Sequence, residues 1–477
     1  MRKFNRVLAA SLTLAMGLSL VACGGSQSST TASAENDTKA TEAPASNDAK
    51  KDETPSETKN DPSVAPDTTG WDASKKIYAY SWDDDFQKKL NVILDEYPQF
   101  KDYVEYVNLG SASEKSLEQI DTAIKSDKYP SLIPGDVGSA KYWIEDDDKT
   151  ANLYDDAFGF TEEMVDRDYA YAKQYATYNG ELKGVTWQST AGSVFYNKAI
   201  AKEVFGADDP ETVQAKLADW DTFFKTAEEL KAKGYKITNG PDEIYYAIIN
   251  AHKDPWVIVA DDGTETLKLD DSVKTFIENY KKLYDGEYTN GGTMWDNDWA
   301  GNQKDGGNVL CYFACPWMIG VMQGNGASNG SFGAVVGPQS YYWGGTYVSI
   351  GKDTPNPALA AFICYELACD DDMGVKITNK TGDAVANKKA NERLVNGEIA
   401  EDNNGVAFLG GQNPYATWAA AGENIDQSAC TYFDKNYEVM IKAAAQGYAT
   451  GTYATVDDAL NYIYSQSETE LGISQAK

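Results

Sequence analysis

The chain has 477 residues, with 42 Lys plus Arg against 73 Asp plus Glu and a formal charge of −31 at pH 7. That length supports two or three domains with ample core, and the charge excludes a nucleic-acid or anionic-membrane surface, since no basic footprint can replace phosphate counterions. One histidine, His252, and the four arginines Arg2, Arg6, Arg167 and Arg393 argue against a His-ligated metal, a Ser-His-Asp triad or a guanidinium-lined anion pocket, whereas 11 Trp and 31 Tyr are an unusual stock of rings.

Arg2, Lys3 and Arg6 precede an apolar run at residues 7–21 that is short for a bilayer span and built like a signal peptide. Leu20, Val21, Ala22 and Cys23 end it and match the lipobox of bacterial lipoproteins, in which the leader is cut before the cysteine and the thiol is lipidated. Residues 1–22 are thus expected to be removed and Cys23 to carry the lipid. Residues 26–70 contain no aromatic ring and are rich in Ser, Thr, Ala, Asp, Glu and Lys. Such a tract cannot bury enough surface to fold, so 23–70 reads as a lipidated cysteine and its tether. Each buried acyl methylene contributes about 0.8 kcal/mol, so a lipidated Cys23 is expected to hold the protein on the outer face of the cytoplasmic membrane, with a Gram-positive bacterium the expected cell.

From Trp71 onward, residues 76–80 read as strand, 85–97 as helix, 104–109 as strand, 113–125 as helix and 131–137 as strand. This β-α-β-α-β order predicts a parallel sheet with helices on both faces. Asp219 is a helix cap before Trp220, with Phe223, Ala227 and Leu230 on one face until Gly234. Asn356-Pro357 opens another helix with proline at its first position. After residue 384 the pattern is mostly helical, at 414–421, 434–446 and 456–470. Cys364 and Cys369 lie in an apolar stretch as buried thiols. Cys311 and Cys315 can bond only if the chain bends between them. No CxxC or Cys/His cluster occurs along the sequence, so neither metal nor cofactor is expected.

Four stretches together carry a resemblance. They are Leu182-Lys183-Gly184-Val185-Thr186-Trp187 with Phe195-Tyr196-Asn197-Lys198-Ala199-Ile200; Asp219-Trp220-Asp221-Thr222 with the helix to Gly234; Gly307-Asn308-Val309-Leu310 through Cys315-Pro316-Trp317; and Gly344-Gly345 with Ile350 and the Pro357 helix. In this order, behind a lipobox, they resemble the extracellular solute-binding lipoproteins of carbohydrate ABC transporters, which have the maltose-binding-protein fold. The proline usual near Thr186 is absent, and cysteine stands before Pro316-Trp317 where glycine is common. The resemblance implies an α/β fold of two lobes joined by a multi-strand hinge. The first lobe is expected from 71–190 and 346–388, the second from 191–345 and the helical 389–477. Crossings are expected near 188–193, 344–347 and 382–389, with the ligand between the lobes at strand carboxyl ends and helix N-termini.

A neutral sugar presents apolar C–H faces and a rim of hydroxyls, so stacked rings and Asp, Asn, Gln or Glu side chains hold it. Trp82, Asp83 and Asp84 follow the first strand, with Asp85 read as the cap of the helix. Asp136 ends the third strand. Trp187, Trp317 and Trp343 stand near the expected crossings. Trp256, Trp295 and Asp296 lie in loops, and Trp418 in a late helix. Trp71 and Trp220 read as packing residues, and His252 as a surface or helix-end residue without a role. The resemblance implies a monomeric, non-catalytic protein with no catalytic residues. It would deliver a neutral oligosaccharide to the permease subunits of an ABC importer, with xylo- or arabinoxylo-oligosaccharide first and manno-oligosaccharide or maltodextrin next. The other readings are a polyamine- or cation-binding protein of the same fold and a secreted glycan-active enzyme, since acid/base carboxylate spacing is a property of the fold.

Overall fold

The computed structural model describes residues 59–476 except 112 and 251. The leader and Cys23 lie outside the described residues. Ile77–Ser81 pairs in parallel with Val104–Asn108 on one side and with Pro130–Asp136 on the other, and the helices Asp85–Glu96 and Ser113–Ala123 are the crossovers. The β-α-β-α-β reading holds. Parallel strands put their carboxyl ends on one sheet edge, so Ser81 and Asp136 end side by side.

This sheet has the order Val104–Asn108, Ile77–Ser81, Pro130–Asp136, Thr346–Ile350, Val185–Thr186. The last two strands are antiparallel to their neighbours, and one comes from far later in the chain than the strands beside it. The first lobe is therefore discontinuous. A second sheet, Cys311–Ala314, Ser193–Asn197 and Phe332–Val335, is antiparallel throughout and is the core of the other lobe. Every residue of its central strand is buried.

Helix termini follow local chemistry. The Asp219 carboxylate accepts from the Thr222 amide to start Trp220–Ala232, which buries Phe223, Phe224, Ala227 and Leu230. Asn356 accepts from the Leu359 amide ahead of Pro357. Pro357–Ala368 is buried from Leu359 to its end, as a helix apolar on all sides must be, and packs on Asp85–Glu96. The late helices are Tyr415–Gly422, Asp434–Ala449 and Val456–Gln466. Asp434–Ala449 packs along Asp271–Asp285 of the second lobe.

Between the two sheets, three segments lie side by side as a belt. The Ser189 amide donates to the Ala384 carbonyl and the Ala386 amide to the Trp187 carbonyl, both at 2.8 Å; on the other side the Gly192 amide donates to Tyr341 at 2.6 Å and the Trp343 amide to Thr190 at 3.1 Å. The five cysteines of the described residues are free and buried. Cys311 and Cys315 cannot bond, because the strand between them is extended and separates their Cα atoms by roughly 13 Å, well beyond disulfide reach. Among the described residues no helix is long and apolar enough to cross a membrane.

Candidate functional site

A cavity of about 110 Å³ opens beside the belt. Asp136, Gly138 and Tyr175 line it from the first lobe, Tyr342, Trp343 and Gly344 from the belt, and Tyr246, Asn250, His252 and Trp256 from the second lobe. Cys430, Asp434 and Glu438, around the start of a late helix, close one side.

Asp136 reaches the cavity because its strand ends there, and its Oδ1 accepts from the Gly138 amide and the Ser139 hydroxyl, both at 3.0 Å, which turns the chain tightly. Tyr175 stacks on Tyr347 with centroids 4.2 Å apart and donates its hydroxyl to the Val137 carbonyl at 2.6 Å. Tyr246 stacks on Trp343 at 4.8 Å and 21°, and its hydroxyl donates to Glu438 Oε1 at 2.9 Å. Burial opposes the charge of Glu438, but Lys442 and Lys435 hold its carboxyl down at about 2. Asn250 fixes the belt by donating Nδ2 to the Tyr342 carbonyl at 2.6 Å.

A row of indoles leads out from Trp343. Trp317 meets it edge-on at 5.1 Å and donates Nε1 to its carbonyl at 3.3 Å. Trp295 lies parallel to Trp317, 6.2 Å away and tilted by only 4°. Gly344 has φ +71°, and a Cβ there would stand 3.2 Å from Trp317 Nε1, so both the turn and the close approach of the ring favour glycine. Trp295 itself has φ +74° and is 54% exposed. A bulky side chain in the left-handed region, half in water and half against Trp299 and Trp317, carries backbone strain.

The structure thus brings Asp136, Trp256 and Trp343 to the cavity wall, and Trp317 and Trp295 continue the row. Other expected residues stand elsewhere. Trp187 is 1% exposed and lies flat on Phe86 at 5.4 Å and 8°, because the helix Asp85–Glu96 covers the end of its strand. Trp418 is buried between Tyr415 and the central strand of the second sheet, where its Nε1 donates to Ser193 Oγ at 3.3 Å. The Asp296 carboxylate is engaged as a helix cap, accepting from the Trp299 amide at 2.6 Å and the Thr293 amide at 2.9 Å. Trp82 and Asp83 are half-buried at the sheet edge that carries Asp136 but do not line the cavity. Asp83 accepts from the Asp85 amide at 2.9 Å, and burial raises its pKa. Asp84 is exposed, occupies the cap position without a side-chain cap bond, and pairs with Lys88 at 3.2 Å, while Asp85 is the first helical residue. Trp71 and Trp220 do pack, on Phe100 and Tyr103 and on Phe313 respectively.

His252 corrects the surface reading. It is 4% exposed, packs against Trp256 with centroids 4.8 Å apart and planes tilted by 32°, and faces Cys430 and Asp434 across the cavity wall. Tyr175, Tyr246, Tyr342 and Glu438 were also not singled out from the sequence. For Tyr246 and Tyr342 the signals are the doublets Tyr245-Tyr246 and Tyr341-Tyr342, which any aromatic core also contains, and Tyr175 and Glu438 carry none.

This fold and site define a two-lobed α/β binding protein with its cavity between the lobes. Residues 82–408 match the bacterial extracellular solute-binding protein family, and the chain belongs to it. No curated protein matches the chain by sequence. Among solved structures, an extracellular solute-binding protein of family 1 is similar, with a TM-score of 0.68 at 14% identity, over 83% of this chain and 99% of that one. The galacto-N-biose/lacto-N-biose I-binding protein of a Bifidobacterium longum ABC transporter, in complex with lacto-N-biose, has a TM-score of 0.64 at 16% identity over 84% and 98%. A cyclo/maltodextrin-binding protein complexed with maltotetraose has a TM-score of 0.59 at 16% identity over 83% and 98%. At these identities the likeness establishes the fold.

Proposed function

We propose that the protein captures a neutral oligosaccharide in the cavity and hands it to the permease of an ABC importer, acting as a monomer without catalysis. The continuous row of rings from Tyr246 through Trp343 and Trp317 to solvent-facing Trp295 carries this reading. Ring faces stack on the C–H faces of a pyranose, and Asp136 and Asn250 offer groups for its hydroxyls. The cavity of about 110 Å³ is well below the roughly 300 Å³ at which pockets for drug-sized ligands begin. The lobes must therefore part to admit such a ligand, and the outer indoles suit one longer than a single ring. The sugars held by the two structural relatives in complex support a neutral glycan. Xylo- or arabinoxylo-oligosaccharide is the first ligand proposed, followed by manno-oligosaccharide and maltodextrin. A polyamine fits less well, because ammonium groups already stand at the cavity: Lys435 lines its wall beside Asp434, and it and Lys442 pair with Glu438 at 3.3 and 2.8 Å.

The test is a thermal-shift panel of oligosaccharides on the soluble body. Ligand at about 100 times Kd contributes about 2.7 kcal/mol and raises the melting point, while chromatography of the recovered sugar should show it unshortened. Stabilisation by spermidine and by no glycan would replace this reading with the cation-binding one, and shortened sugar would make the protein an enzyme.

Cys23 is proposed as the lipid-bearing residue. Cys23→Ala should release a folded, ligand-competent protein into the medium. A variant retained on washed membranes as fully as the parent would refute the anchor.

A further inference from the structure

The cavity wall holds a cluster that the sugar reading does not use. A ring nitrogen of His252, the Cys430 sulfur and a carboxylate oxygen of Asp434 lie within 4.8 Å of one another, and His252 Nε2 is 3.8 Å from Asp434 Oδ2. His252 Nδ1 is 2.9 Å from the Ile249 carbonyl. A carbonyl only accepts, so Nδ1 carries a proton, and in the neutral imidazole Nε2 presents its lone pair to the cluster. That buried Nε2 has no hydrogen-bond partner.

Each member is held by an outer partner. Trp256 packs against the imidazole, Asp434 accepts from the Thr431 hydroxyl at 2.7 Å and amide at 3.1 Å, and the Cys430 sulfur meets the Tyr342 hydroxyl. Metal-binding side chains are typically oriented by such outer contacts.

We propose that His252, Cys430 and Asp434 bind one zinc-class divalent cation in the cavity wall, leaving a coordination position open to the cavity. Imidazole, thiolate and carboxylate form the mixed N/S/O donor set of zinc, whereas magnesium and calcium take oxygen ligands. Zinc bonds of about 2.0 to 2.3 Å set tetrahedral ligands roughly 3.5 Å apart, so the cluster closes by side-chain shifts of about 1 Å. The Cys430 thiol, whose pKa burial raises, releases its proton to solvent as the sulfur–metal bond forms. With three protein ligands, the fourth position is left for water or an oxygen of the captured solute.

The test uses the mature protein, stripped with a chelator and titrated with Co2+ and then Zn2+ in the absence of sugar. Expected are one equivalent of Co2+, a sulfur-to-cobalt charge-transfer band in the near ultraviolet, its loss on adding Zn2+, and a higher melting point with Zn2+. Cys430→Ser should abolish the band and weaken Zn2+ binding at least about tenfold, and His252→Gln should weaken it similarly. Should His252→Gln not fold, Cys430→Ser still decides the matter, with Cys364→Ser as the control that keeps the band. Absence of the band in the parent, or a band that survives Cys430→Ser, overturns the proposal. Because no sugar is present, either result leaves the oligosaccharide reading standing or falling on its own panel.

Discussion

Trp343→Ala should weaken ligand binding by about 1 to 3 kcal/mol, roughly five- to 150-fold in Kd. Its ring lies between Tyr246 and Trp317 at the point where the row of indoles meets the cavity. The substitution keeps the backbone bonds that hold the belt, the amide to Thr190 and the carbonyl accepting from Trp317. Because the ring is only 6% exposed, the substitution should also lower the melting point, so affinity is measured well below the unfolding transition. Trp295→Ala is the sharper companion. About half of Trp295 is in water and the rest lies against Trp299 and Trp317, so melting should change less than in Trp343→Ala, while affinity for ligands long enough to reach it should fall and affinity for short ones should not. Trp220→Ala is the control for the opposite behaviour, because that ring stacks on Phe313 at 5.9 Å inside the second lobe, and stability should drop with little direct effect on the site. Trp187→Ala should behave like this control. Calorimetric titration and melting curves on the same samples separate the two effects, and parental affinity in both Trp343→Ala and Trp295→Ala would remove the indole row from the binding surface.

The largest loss of stability is expected at a buried ion pair beside the belt. Lys89 is 2% exposed, with Nζ 2.5 Å from Asp85 and 3.1 Å from Asp383. Gln188 Nε2 donates to the same Asp383 oxygen at 2.8 Å, and the ammonium lies 5.7 Å from the Trp187 ring. Burial alone would lower the Lys89 pKa, but the carboxylates of Asp383 and Asp85 outweigh it and keep the amine charged. These contacts tie the helix Asp85–Glu96 to two of the three belt segments. Removing one partner leaves a charge stranded in low dielectric, so Asp383→Ala should cost about 3 to 5 kcal/mol in denaturant unfolding. The double variant Lys89→Met/Asp383→Leu should recover most of that, since an apolar pair of similar size has no desolvation cost to offset. A loss under about 1 kcal/mol in Asp383→Ala would mean that water reaches the pair and that it does not hold the belt.

Several features were legible in the sequence because they depend on neighbours a few residues away. The caps at Asp219 and Asn356 act on amides three positions ahead, and the β-α-β-α-β alternation is carried by periodicity within each element. Asp136 belongs with these, because parallel strands joined by helices must end on a common edge. The tryptophans were not separable in this way. Trp187 and Trp343 both sit in the belt next to a strand, yet Phe86 and Lys89 cover the first while Tyr246 backs the second at the cavity. Those covering residues come from other elements, brought in by packing between distant parts of the chain. The cluster at His252, Cys430 and Asp434 has the same origin. No spacing rule joins His252, just after the helix Tyr245–Ile249, to a late helix, and their meeting follows from Tyr245–Ile249 and Asp434–Ala449 both packing on Asp271–Asp285. Hydrogen bonding and periodicity are short-range along the chain and are written locally. Which ring is covered and which donors converge depends on long-range burial, which only the assembled lobes decide.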